Sequence, residues 1–182
     1  MKTFAVRVMR ALLPTITGGL LLVAPVGSWA QQILKYSYKG SGAVTKYTEQ
    51  HTLDVGDVTG HQIRVVSLET KYANDAPEYD GVKVVESAAW LTSDYIGGSG
   101  RFTQYAVLQM ANGDKILTRS EALTLTSIST DGRKSSFSTV TTLTGGTGKF
   151  ATIRGTIRGS GSTDFKNPLT INPSEGEYWF AK

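Results

Sequence analysis

The sequence predicts an all-β fold, a single antiparallel β-barrel of about eight strands. Three observations carry that expectation. After Gln31 almost every apolar run alternates with period two or is β-branched, glycine-bearing turns interrupt the runs at short intervals, and no segment shows an amphipathic helical period.

Residues Met1 to Ala30 stand apart from this pattern. A basic head (Lys2, Arg7, Arg10) precedes an apolar middle from about Ala11 to Val26 and a small-residue exit at Ser28-Trp29-Ala30, the three parts of a secretory signal peptide. Pro14, Gly18, Gly19 and Pro25 interrupt the middle, so it falls short of the roughly 20 clean apolar residues of a spanning helix. The expectation is cleavage after Ala30, a domain from 31 to 182, a secreted or periplasmic location, and no membrane span once the signal is removed.

Within the domain the expected strands are Ile33 to Ser41, Val44 to Val55, Gln62 to Lys71, Val82 to Tyr95 and Phe102 to Ala111. Lys115 to Ile128, Ser136 to Leu143, Phe150 to Gly159 and Glu177 to Ala181 follow. The first two can form one long strand bent at Gly40-Ser41-Gly42, where missing side chains permit a bulge. Asn112-Gly113 and Asp131-Gly132 have the residues of type I′ hairpin turns, and they order the strands between about 102 and 143 as a meander. Tyr72 to Gly81, with Asp75, Pro77, Glu78 and Asp80, reads as a polar surface loop.

Side-chain parity argues for closure. In Phe102 to Ala111 one parity carries Phe102, Ala106, Leu108 and Met110, and the other Tyr105 and Val107. Val84, Ala88 and Trp90 alternate likewise with Val85, Ala89 and Leu91. A sheet apolar on both sides needs cover on both, and without helices a closed or nearly closed barrel supplies it for one face while removing strand edges. Apolar surface left on the exterior predicts a homo-oligomer.

Composition excludes several classes. Removing Lys2, Arg7 and Arg10 from the 19 basic residues leaves 16 against 15 acidic ones. The high pI of about 9.3 thus belongs largely to the signal, and the dispersed cations form no nucleic-acid stripe. With no cysteine there is no disulfide, thiol nucleophile or thiolate metal site. His51 and His61 sit in polar neighbourhoods, which predicts exposure rather than metal ligation, and no GxSxG nucleophile elbow occurs. No cofactor is expected.

The run Thr144-Gly145-Gly146-Thr147-Gly148-Lys149-Phe150 fails as a phosphate loop, because Phe150 stands where a Ser or Thr would bind magnesium. It also fails as a dinucleotide fingerprint, since a strand follows it. It reads instead as a glycine corner, with Gly155 and Gly159 thinning the next strand so that it can bend. The stretch GGTGKFATIRGTIRGSG, together with the YAVLQMANGDKI hairpin, resembles allene oxide cyclase-like and dirigent-like barrels, including bacterial exported members of unassigned role. The resemblance implies a calycin-type eight-stranded barrel, often oligomeric, with an apolar lumen. In plant members that lumen guides a cyclisation or coupling; no catalytic residue of those enzymes can be matched onto this chain.

The candidate ligand-lining residues are Arg119, Glu121, Glu86, Trp90 and Tyr105. Arg119 and Glu121 share a parity with Leu117, Leu123 and Leu125, and Glu86 shares one with Val84, Ala88 and Trp90. A lumen holding such a charged pair could orient a polar group; on solvent the same pair is an ordinary surface contact. The leading expectation is an exported barrel that binds a small, largely apolar molecule without chemistry of its own. Two alternatives stay open: an isomerase or cyclase acting by shape, and an interaction protein with a packed interior.

Overall fold

The computed structural model describes residues 31–39, 44–73, 75–129, 132–164, 167–171 and 173–182. Residues 1–30, where the signal peptide is expected, Gly40-Ser41-Gly42, where the bend is expected, and Asp131 lie outside the described residues. Every strand pairing is antiparallel, and among the described residues no helix is long and apolar enough to cross a membrane.

Eleven strands follow one another among the described residues: β1 (Leu34–Tyr38), β2 (Val44–Asp54), β3 (His61–Lys71), β4 (Glu78–Tyr79), β5 (Val82–Ile96), β6 (Ser99–Met110), β7 (Lys115–Ser129), β8 (Gly132–Gly146), β9 (Ile153–Asp164), β10 (Asn167–Ile171) and β11 (Ser174–Phe180). A 3-10 turn at Gly148–Phe150 joins β8 to β9. The path across the sheet is β1-β11-β9-β8-β7-β6-β5-β3-β2, with β10 added on β9 and β4 on β5.

This order forces curvature. Strands β1 and β2 are consecutive in sequence yet occupy the two ends of the path. Flat, a nine-strand path would set them about 38 Å apart at about 4.8 Å per step, whereas the six steps from Tyr38 to Val44 span at most about 20 Å. The sheet therefore curls, and contacts across its inner face record it: Tyr36 of β1 stacks on Tyr79 of β4, centroids 4.9 Å apart, and Tyr178 of β11 meets Tyr79 edge-on at 5.6 Å.

The expected bend joining the first two strands falls outside the described residues. Of the expected closed or nearly closed barrel of about eight strands, the described residues show an antiparallel sheet that curls, with β1 and β2 at the two ends of its path and not paired with each other. The open β2 edge carries Lys46, Glu49 and Asp54, charges of the kind that deter edge pairing.

Turn chemistry differs from expectation at one hairpin. Asn112 does not take a positive φ; Gly113 does, at 88°, within a three-residue loop closed by Met110 and Asp114, the pattern of a type I turn with a glycine bulge. Among the described residues, positive-φ pairs occur at Gly97-Gly98 and at Asp80-Gly81. The latter builds the β4–β5 hairpin inside the segment expected to be loop.

The apolar core gathers at one end of the curl. Val84, Met110, Ile116, Leu143, Phe150 and Ile153 are all at most 1% exposed, and register places them where β5, β7 and β9 begin and β6 and β8 end. The glycine corner drops Phe150 into this end as a plug, with the Phe180 ring 6.3 Å away.

Candidate functional site

Above the plug the inner face changes character. Along β7 the inward parity is Ile116, Thr118, Ser120, Ala122 and Thr124, while Leu117, Leu123 and Leu125 point outward and are 40–61% exposed. Small side chains fit the crowded inside of a tight curl, and bulky ones the outside. Shared parity with Leu117, Leu123 and Leu125 therefore places a residue on the outer face, not in the lumen.

The result is a cavity of about 250 Å³, near eight water volumes at about 30 Å³ each. Tyr36, Tyr38, Tyr72 and Tyr79 wall one side, and Ser87, Thr118, Ser120, Thr139 and Thr141 with Gln104 supply most of the remaining polar surface. Ala106, Leu108, Phe137 and Ile157 fill the gaps between them. The Ser120 and Thr141 hydroxyls lie 2.8 Å apart, while the Tyr36 hydroxyl faces those of Ser174 and Tyr79 and that of Tyr72 faces Ser87. Burial pushes Tyr36 up to about 12 and raises Tyr72 and Tyr79, so these phenols stay protonated near neutral pH.

The expected lining residues lie on the opposite face. Trp90 is 50% exposed and Tyr105 56%, and the two are cross-strand partners there, with Arg119 next in the row. Arg119 and Glu121 form an ion pair of 2.8 Å with both side chains about half exposed or more, worth about 0 to 1 kcal/mol at such a site. Glu86 is exposed as well. Its parity with Val84 fails because a bulge separates Val84↔Met110 from Glu86↔Gln109, turning Glu86, Ala88 and Trp90 outward while Val84 stays inside. The tyrosine wall was missed because Tyr79 fell in the supposed loop; the Asp80-Gly81 pair beside it was the available signal.

At the far end of the sheet His61 departs from the expected exposure. Its side chain is 15% exposed, with Nδ1 bonded to Asp57 at 2.5 Å and Nε2 to Asp94 at 2.8 Å. Carboxylates only accept, so both ring nitrogens carry hydrogen and the ring is an imidazolium. His51, by contrast, is exposed beside Glu49. The Asp57 and Asp94 bonds raise the His61 pKa, and the His61 bond lowers that of Asp57. Stability from a raised histidine is fully present below its unfolded value near 6.5 and is lost as pH rises through the folded value. Amide exchange at His61 and Gly97, whose N–H groups donate to the Val58 and Gly60 carbonyls, should therefore accelerate on going from pH 6 to pH 9 beyond the intrinsic base-catalysed rate. His61→Gln should remove that excess; an excess that survives the substitution would refute the clasp.

Comparison with protein-family models, with curated proteins and with solved structures finds no match to the chain.

Proposed function

We propose that the mature domain, exported and released by cleavage after Ala30, is a barrel-like binding protein that holds a small molecule in its inner cavity and performs no chemistry on it. The observation that carries this reading is the cavity itself, a space of about 250 Å³ bounded by residues from β1 across to β11, where an interior serving structure alone would be filled. The curl that brings β1 and β2 toward each other, with the glycine corner and the aromatic last strand, supports kinship with allene oxide cyclase-like and dirigent-like barrels. A cyclase reading is less favoured, because Arg119, Glu121 and Glu86, the charged groups that could steer a reactive intermediate, face away from the cavity. The hydroxyl wall also shifts the expected ligand from largely apolar to one with hydrogen-bonding groups.

The test uses protein recovered from the cell envelope or medium, its mass checked for cleavage after Ala30, and titrated with an uncharged environment-sensitive dye. Saturable one-to-one binding that is lost in Ala106→Phe, which fills the cavity, is the expected result. Binding that is non-saturable, or indifferent to Ala106→Phe, would defeat the reading.

One observation favours an additional role for the outer face. Ala88, Val107 and Leu117 form one row across β5, β6 and β7, with Trp90 and Tyr105 in the next, a contiguous apolar patch of the kind that marks contact surfaces. Self-association through it predicts a concentration-dependent mass in sedimentation equilibrium, reduced to that of the monomer by Leu117→Asp. A wild-type monomer at all concentrations would leave the patch without this role.

A further inference from the structure

We infer that the cavity selects uncharged ligands, molecules joining an aromatic or aliphatic body to hydroxyl or carbonyl groups, and rejects ions of either sign. The inference rests on the binding role proposed above and concerns the ligand's chemistry.

The walls carry no ionisable side chain apart from tyrosine: among the described lining residues there is no Asp, Glu, Lys, Arg or His. That absence stands out in a chain in which 19% of residues are charged. The neighbouring charges are committed elsewhere. Lys149 bonds both the backbone oxygen and the carboxylate of Asp80 at the plugged end, and Arg119 with Glu121 lies across the sheet. A hydroxyl donates and accepts with equal ease, so the wall can answer either kind of polar group on a ligand but offers no full charge. An entering ion loses hydration without gaining a counter-charge, which is the costly way to bury it. A neutral molecule instead exchanges hydrogen bonds with water for hydrogen bonds with Ser120, Thr141 or the tyrosines, and it buries its body against Phe137, Leu108 and Ile157. The tyrosines do not supply the missing charge near neutral pH, since burial holds them protonated.

The experiment titrates the mature domain at pH 7 with three probes of one size: naphthol, naphthalenesulfonate and naphthylmethylammonium. Naphthol is expected to bind saturably, and each ion at least about tenfold more weakly, a difference of about 1.4 kcal/mol. Either ion binding within tenfold of naphthol overturns the inference while leaving the cavity as a binding site. Failure of all three to bind removes the binding role and the inference together. Ser120→Asp places a carboxylate on the wall and should raise naphthylmethylammonium affinity above that of naphthalenesulfonate, with Ser120→Asn as the neutral control. An aspartate variant that folds and leaves the order of the two ions unchanged would show that charge at this wall does not govern selection. If that variant does not fold, the wild-type comparison decides alone.

Discussion

Phe150→Ala is expected to lower the unfolding free energy by about 3 to 5 kcal/mol, the range for removing a buried aromatic side chain. Phe150 has no exposed surface, and neither have Ile116, Leu143 and Ile153 of the same cluster. The site cannot collapse to fill the space. Phe150 sits on a 3-10 turn, pinned by the Phe150 N–H to Thr147 carbonyl and the Ala151 N–H to Gly148 carbonyl bonds, while its neighbours are fixed in strand registers. Leu125→Ala is the internal comparison. That leucine is 61% exposed on the outer face, where substitutions ordinarily stay within about 0.5 kcal/mol. Urea melts of both variants check the contrast; equal midpoints would mean that the plug does not anchor the curl.

The sequence revealed the fold better than the site, for a physical reason. Alternation is a local property, and it located the long strands β2, β3, β5, β6 and β7 to within a few residues. Which parity faces inward is set by the curl, a property of the whole sheet, and one bulge suffices to reverse it. Glu86 was assigned with Val84 across such a bulge. Arg119 and Glu121 were correctly placed on one face with Leu117 and Leu123, but the face was outer. Short elements were lost for another reason: β4 has two residues, too few for periodicity, and only the Asp80-Gly81 turn betrays it. His61 illustrates the limit of composition: Asp57, four residues before it, is a local partner, but Asp94 is brought to it by the β3–β5 pairing, which no local pattern encodes.

The glycine corner offers the second large effect, and its two central glycines should fail for different reasons. Gly148 has φ +50°, left-handed backbone that costs a Cβ-bearing residue about 1 to 2 kcal/mol. An added Cβ would also press on the Asp114 carboxylate, which accepts the Lys149 N–H at 3.0 Å and ties the corner to the β6–β7 loop. Gly146 has no positive φ. Its constraint is space: a Cβ there would overlap the Lys115 carbonyl and come within 2.9 Å of the Phe150 carbonyl, and neither is the free end of a side chain that could swing away. Overpacking against backbone costs typically about 1 to 3 kcal/mol. Gly146→Ala should therefore be nearly as damaging as Gly146→Val, because the first carbon already collides. Gly148→Asn should be milder than Gly148→Val, because asparagine tolerates the left-handed region. Thermal and urea melts of the four variants provide the comparison. If Gly146→Ala melts with wild type, or Gly148→Asn is no better tolerated than Gly148→Val, the division between a steric and a torsional glycine is wrong.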